Sequence, residues 1–352
     1  LTQPTIPIKN LYYLLCYSWD QLEQGELIDV ERCPSTELVD LFTLVLCDGV
    51  RHLSRRGLEQ SYQLRTEVLS TLRGRIDAFG SARKFLPSLG KAVCQFDELT
   101  VNSLNNRLIK ATLKKLSVSK GLNSELRKQT VIILKSLRNI EDIVVTKREF
   151  QKVQLHSNTR FYRFLLNVCE LIHDSSLVET QSGSTKFREF VRDEKAMARV
   201  FERFLYNFIQ REIQTVKVKR DRIEWQATSL SDPSLALLPS MNTDISISRG
   251  ADRLIVDAKY YTTTLSSRWE TEKIHSHNLY QLLSYLNNAP KEGIESTAGM
   301  LIYPKVDKSL RQRYVINGFP VCIATVDLNQ DWPLVHAEMV DLVDFAFNSK
   351  VT

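Results

Sequence analysis

Two aspartates and one lysine, Asp244, Asp257 and Lys259, carry the chemistry most plainly readable in this chain. They fall in the run Asn-Thr-Asp-Ile-Ser-Ile-Ser-Arg-Gly-Ala-Asp-Arg-Leu-Ile-Val-Asp-Ala-Lys-Tyr from Asn242 to Tyr260. Hydrolysis of a phosphodiester needs a hard cation to polarise the phosphoryl oxygen and acidify a water, and hard cations prefer carboxylate oxygens. Asp244 and Asp257 suit that task, with the backbone carbonyl of Ala258 as a further oxygen ligand and Mg2+ as the expected ion. Lys259, two residues after the second acid, suits the orientation of the nucleophile or the compensation of developing negative charge. Acids and a lysine at this spacing also occur in surface hairpins with scattered charges, so the surrounding elements must decide.

The elements that would position these groups follow from periodicity. From Thr243 to Ser248 apolar and polar residues alternate, so Ile245 and Ile247 face one way and Asp244, Ser246 and Ser248 the other. Gly250-Ala251-Asp252 supplies a turn. The return strand, Arg253 to Lys259, has the continuous Leu254-Ile255-Val256 run of a strand covered on both faces, and its period puts Asp257 and Lys259 on one face. Three ionisable groups at the end of a buried hairpin are costly to desolvate unless they serve one another or a cation. Upstream, Met197, Val200, Phe201, Phe204, Leu205 and Phe208 mark an amphipathic helix from Asp193 to Gln214. A strand from Val216 to Gln226 and a proline-containing loop from Ser231 to Ser240 lead to the hairpin. Downstream, a helix from His277 to Leu286 carries Gln281 and Tyr285 four residues apart on one face. Strands at Ala298 to Tyr303 and Val321 to Val326 and a helix near Ala337 to Phe347 complete the order.

That order, with Asp244, Asp257-Ala258-Lys259 and Gln281-Leu-Leu-Ser-Tyr285, resembles the PD-(D/E)XK restriction-endonuclease-like superfamily, and the Gln-x3-Tyr helix resembles its RecB-like branch. The eponymous proline is replaced by Thr243, at a position without a chemical role. The resemblance implies that Gln281 and Tyr285 lie beside the scissile phosphate; their plain alternative is helix packing. Glu202 is similar to the extra acid that some members add to the metal site, or it is a solvated helix charge.

A narrower resemblance runs along nearly the whole chain: Ile6 to Trp19, Leu53-Ser-Arg-Arg-Gly-Leu58, Leu72-Arg-Gly-Arg-Ile-Asp77, Phe96-Asp-Glu-Leu99, Asn106-Arg-Leu-Ile-Lys110, Val256-Asp-Ala-Lys-Tyr-Tyr261, Asn278-Leu-Tyr-Gln281 and Asn317-Gly318-Phe319. Together these resemble the McrC family, nuclease subunits of 5-methylcytosine-specific, GTP-dependent McrBC restriction systems. The resemblance implies a Mg2+-dependent endonuclease acting on double-stranded methylated DNA. It also implies an amino-terminal domain whose projecting finger hairpin enters a McrB-like AAA+ GTPase hexamer and stimulates it. The chain itself has no Gly-x4-Gly-Lys-Ser/Thr: before Gly90-Lys91 stands Phe85 in place of the first glycine, and after it Ala92 in place of the hydroxyl. GTP is therefore expected on the partner. A self-sufficient RecB-like repair nuclease and a non-catalytic GTPase-activating scaffold are the competing readings.

With 352 residues, 43% of them hydrophobic, the chain can bury two cores. We expect an α/β (α+β) protein with a partner-binding finger-plus-helical domain over residues 1–157 and an endonuclease domain over 158–352. In the first, Leu38 to Val50 reads as a helix, segments around Tyr62 to Leu64 and Glu67 to Leu69 as the arms of a hairpin, and Leu104 to Leu116, Glu125 to Leu137 and Arg160 to Ile172 as helices. The formal charge of +6 mildly favours an anionic partner. Basic clusters at Arg51, Arg55 and Arg56 and at Lys217, Lys219, Arg220 and Arg222 are candidates for that contact or simply solvated faces. Six cysteines without zinc spacing read as reduced packing residues, and His275-x-His277 as a polar loop beside a helix rather than a metal site. Without a signal pattern or a run of transmembrane length, a soluble, cytoplasmic protein is expected.

Overall fold

The computed structural model describes residues 6–155, 159–176, 193–230, 235–261, 266–268, 271–306 and 308–348. Chain contacts divide it into two units, one of Leu1–Leu27 with Arg188–Thr352 and one of Ile28–Phe187. This differs from a single cut near residue 157: the first 27 residues belong with the carboxy-terminal unit, and the segment up to Phe187 belongs with the other.

The carboxy-terminal unit is built on a six-stranded sheet in the order Arg311–Ile316, Phe319–Val326, Ser296–Pro304, Asp252–Ala258, Ile245–Arg249, Lys217–Lys219. The hairpin forms as its alternation requires, with Ile245 opposite Val256 and Arg249 opposite Asp252. Its turn is shorter than expected, Gly250-Ala251 alone, because Asp252 already pairs. Gly250 has φ +60°, the conformation a two-residue hairpin asks of its first central residue. Asp252–Ala258 then pairs in parallel with Ser296–Pro304, which requires a crossover, and helix Ser276–Asn288 supplies it. Ile255, Leu301 and Ile323 pack with Leu282, Tyr285 and Leu286 of that helix. By strand period Asp257 and Lys259 lie on the same face as Ile255, so the helix roof stands over the two charged residues.

One expectation is corrected here, and one strand is added. The strand expected over Val216 to Gln226 breaks into Lys217–Lys219, which pairs with the hairpin, and Arg222–Ile223, which pairs with Met241–Asn242. Between them the backbone of Asp221 is clasped by Thr243: Thr243 N donates to Asp221 O, and Asp221 N donates to Thr243 Oγ1, both at 2.9 Å. An edge strand, Arg311–Ile316, went unread because five of its six residues are exposed and show no apolar alternation. Its signal was the Asn317-Gly318 turn, both residues at positive φ (52° and 80°), the signature of a tight hairpin.

Helix Glu194–Glu212, capped by Asp193, buries the six apolar residues named from its period. Against it lies helix Ile8–Ser18. Tyr17 meets the rings of Phe204 and Phe208, with centroids 5.8 Å and 5.3 Å away, and Tyr13 stacks on Trp332 at 4.7 Å. Asn10, itself buried, donates to Leu328 O at 2.9 Å and Gln330 O at 2.7 Å. The closing helix runs Trp332–Phe347, five residues earlier than its apolar stripe suggested, with a proline in its first turn.

In the other unit, helices Leu38–Arg56, Leu104–Ser117, Ser124–Ser136 and Arg160–Ser176 pack on one another as their stripes imply. The expected hairpin does not form. Tyr62 to Leu69 belongs to one strand, Ser61–Leu69, paired antiparallel with Ala92–Thr100, whose other edge takes Arg75–Asp77. Arg55 and Arg56 form the last turn of helix Leu38–Arg56, and Arg51 is engaged by Asp48 at 2.6 Å and Gln129 at 2.9 Å. The sheet buries Ala92, Cys94 and Phe96 but leaves Tyr62, Leu64, Leu72, Phe79, Phe85 and Leu89 of this region exposed. Among the described residues none of the six cysteines is in a disulfide. Among the described residues no helix is long and apolar enough to cross a membrane.

Candidate active site

One step beyond the Ile245–Val256 pair, the hairpin register sets Asp244 opposite Asp257. Asp244 Oδ2 accepts the Ala258 amide at 2.9 Å, which ties the first acid across the hairpin to the second arm. Asp257 is 0% exposed. Lys259 Nζ donates to Asp257 Oδ1 at 3.1 Å and to Gln281 Oε1 at 3.0 Å, and Gln281 Nε2 donates to the Tyr285 hydroxyl at 2.7 Å. Since an ammonium can only donate, it fixes the orientation of the Gln281 amide, whose two ends are then both used. The backbone of Lys259 is held as well, its amide donating to Ile302 O at 3.0 Å. The structure thus gathers Asp244, Asp257, Lys259, Gln281 and Tyr285 from the hairpin and the helix above it.

Electrostatics follow from burial. Burial pushes Asp257 up to about 7 against the pull of Lys259, with Asp244 adding to the rise. Asp244 is raised by burial too, opposed by Lys259, the Ala258 amide and Arg220. Burial by itself would lower Lys259, but Asp257 and Asp244 outweigh it and the ammonium is held above its ordinary range. Asp257 Oδ2 lies 3.0 Å from Lys259 Nζ yet outside hydrogen-bonding geometry, so this buried oxygen has no hydrogen-bond donor. A fully buried carboxylate whose charge is met by Lys259, with a second acid tied to the same arm, offers oxygen donors of the kind a hard cation takes. Among the described residues no three His, Cys, Asp or Glu side chains close into a metal cage. The donor set available here is oxygen only, two carboxylates and the Ala258 carbonyl, which is the chemistry a hard cation accepts.

Glu202 is placed on helix Glu194–Glu212, where its carboxyl is raised by burial and by Asp244 and lowered by Arg220, Arg203 and Lys259. Its direct partner is Arg220, at 2.8 Å. The basic cluster ahead of the hairpin is largely compensated, since Lys219 pairs with Asp221 at 2.9 Å and Arg222 with Glu224 at 3.3 Å. Sequence reasoning missed the network flanking the site. The Tyr261 hydroxyl donates to Asn278 Oδ1 at 3.0 Å and lies 3.1 Å from His277 Nε2, and Asn278 Nδ2 donates to the Tyr303 hydroxyl at 3.1 Å. His277 stands one helical turn before Gln281, a spacing visible in the sequence. His275 and His277 thus face a tyrosine rather than the acids.

Residues 8–304 match the family described as McrBC 5-methylcytosine restriction system component. The chain belongs to that McrBC family. In line with it, the chain is 41% identical over 344 residues to the "Type IV methyl-directed restriction enzyme EcoKMcrBC" of Escherichia coli (strain K12), covering 98% of this chain and 99% of that protein. Among solved structures, a chain of the "Refined half-complex from tetradecameric assembly of Thermococcus gammatolerans McrB AAA+ hexamers with bound McrC" superposes with a TM-score of 0.60 at 14% identity. That likeness covers 96% of this chain and 76% of the other, and it concerns the McrBC fold alone.

Proposed function

We propose that this McrBC-family chain is the DNA endonuclease subunit of a restriction complex directed at 5-methylcytosine in double-stranded DNA. We assign the cut to the hairpin site. The observation that carries this reading is Asp244 tied by the Ala258 amide to the arm that bears the fully buried Asp257, with Lys259 bridged through Gln281 to Tyr285. Asp244 and Asp257, with the Ala258 carbonyl and Glu202 as further candidates, would hold Mg2+. When bound, the ion supplies polarisation of the phosphoryl oxygen and acidification of a water. Lys259, kept charged by the two acids, offers its ammonium to negative charge developing on the phosphate. Gln281 and Tyr285 hold that ammonium on line, and the Tyr285 hydroxyl, an acceptor towards Gln281, keeps its own proton for donation.

Oxygen-only ligation leads to a metal prediction. Mg2+ or Mn2+ should support cutting by the complex with its GTPase partner, while Ca2+ should bind without turnover because its looser coordination positions the water poorly. Cleavage assays in each metal check this, and activity with Zn2+ but not Mg2+ would mean that the histidines rather than the aspartates hold the ion.

The partner is proposed to be a McrB-like AAA+ GTPase hexamer; the similar solved structure is named for McrB AAA+ hexamers with bound McrC. The unit Ile28–Phe187 is the proposed contact. Its sheet region exposes Tyr62, Leu64, Phe79 and Phe85, an apolar surface of the kind that marks a protein interface. GTP then belongs to the ring, because this chain has no phosphate loop. Arg55→Ala with Arg56→Ala, on the exposed last turn of helix Leu38–Arg56, should lower GTP turnover by the ring more than it lowers metal binding, since a cation in trans is a common aid to phosphoryl transfer. Stimulation left intact by this pair, or GTP turnover raised by a chain lacking residues 28–187, would remove the assignment. Cutting of DNA by the purified chain without partner or GTP would favour a self-sufficient repair nuclease instead.

A further inference from the structure

Arg220 sits in the break between strands Lys217–Lys219 and Arg222–Ile223, next to the clasp of Asp221 on Thr243 and therefore beside the residue that precedes Asp244. Its guanidinium reaches helix Glu194–Glu212, pairing with Glu202 Oε1 at 2.8 Å and lying 5.2 Å from the centre of the Tyr206 ring. Glu202 and Tyr206 are four residues apart, so the two contacts come from one helix face and fix the guanidinium between them. The clasp sets Arg220, and through their ion pair Glu202, beside the chain end that carries Asp244, and the burial-driven rise of the Asp244 carboxyl is opposed by the Arg220 charge. The Arg220 side chain is 49% exposed against 28% for Glu202, so an incoming polyanion meets the arginine first. A half-exposed ion pair is weak, whereas a guanidinium takes a phosphate through two parallel hydrogen bonds.

We propose that Arg220 is a positioning residue that holds the Glu202 carboxylate away from the cation in the DNA-free chain, and that a DNA phosphate takes over the guanidinium and releases Glu202 towards Asp244 and Asp257. The inference rests on the nuclease reading above. It makes the cation site weak with two carboxylates until DNA arrives and strong with three afterwards, because affinity for a hard cation rises with carboxylate count.

The test is Mn2+ binding to the full-length chain by titration calorimetry, with and without a short duplex protected by phosphorothioate linkages. In the wild-type chain the duplex should raise Mn2+ affinity by about fivefold to tenfold, the scale of coupling between groups in contact. Arg220→Gln should show the tighter affinity without DNA and gain little more from the duplex. Removing a positive charge near a cation would also help through space, so the cycle is closed with Glu202→Gln. If Arg220 acts through Glu202, Arg220→Gln tightens Mn2+ binding clearly less in the Glu202→Gln chain than in the wild-type background. An equal effect in both backgrounds would overturn the latch and leave the nuclease site standing, and a wild-type chain that binds no Mn2+ even with the duplex present overturns both.

Discussion

Replacing Asp257 by Asn is expected to lower DNA cleavage by the reconstituted complex roughly a thousandfold or more, the scale of losing several kcal/mol of transition-state stabilisation. Asp244→Ala and Lys259→Ala should do the same, because each removes a ligand or charge from the same hairpin end. Assembly with the proposed GTPase partner should survive all three. Asparagine keeps the shape of Asp257 and removes a charge that burial disfavours, so the fold should not suffer. The pH dependence of the metal-free chain gives an independent reading. Asp257 is raised from the ordinary aspartate range to about 7. A group raised on folding stabilises the fold fully below its unfolded value and loses that contribution as pH climbs through the folded one. Wild-type stability should therefore fall between about pH 4 and about pH 7 by an increment that Asp257→Asn lacks. Thermal melts across this window measure it. Cleavage retained in any two of the three variants would sink the active-site assignment, and an unchanged pH slope would sink the burial argument for Asp257.

A second large effect is expected far from the acids. Phe204 is fully buried and packs against Tyr17, Phe201, Phe208 and Trp332, with ring centroids 5.6 Å to 6.2 Å apart. Phe204→Ala should cost about 3–5 kcal/mol, the range for deleting a buried aromatic ring where neighbours cannot collapse. Deletion of residues 1–27 should cost the carboxy-terminal unit at least as much. It strips the partner from one side of helix Glu194–Glu212 and removes the Asn10 side chain that satisfies two carbonyls. Denaturant titration of the full chain and its deletion variant compares the two. A fragment of residues 188–352 that melts cooperatively at the full-length midpoint would show that the amino-terminal helix is dispensable.

The hairpin, the helix above it and the acid–lysine pattern were legible in the sequence because each rests on short-range rules. Alternation fixed which residues of Ile245–Arg249 and Asp252–Ala258 share a face, a glycine turn fixed their register, and an i, i+4 spacing aligned Gln281 with Tyr285. What the tertiary structure alone decided involves partners remote in sequence. Strand Ser61–Leu69 pairs with Ala92–Thr100 rather than folding on itself, since a strand's own pattern says which face is buried but not which edge it meets. Helix Ile8–Ser18 joins a unit that resumes more than 150 residues later, because its apolar face is matched by Phe204 and Phe208 and not by anything nearby in the chain. The charge balance at the acids was equally hidden: Arg220 read as one member of a basic cluster until the break at Asp221 set it against Glu202. Local spacing determines which groups can do chemistry, and non-local packing determines which charges surround them, because a Coulomb interaction depends on distance in space and on burial, neither of which is written in the order of residues.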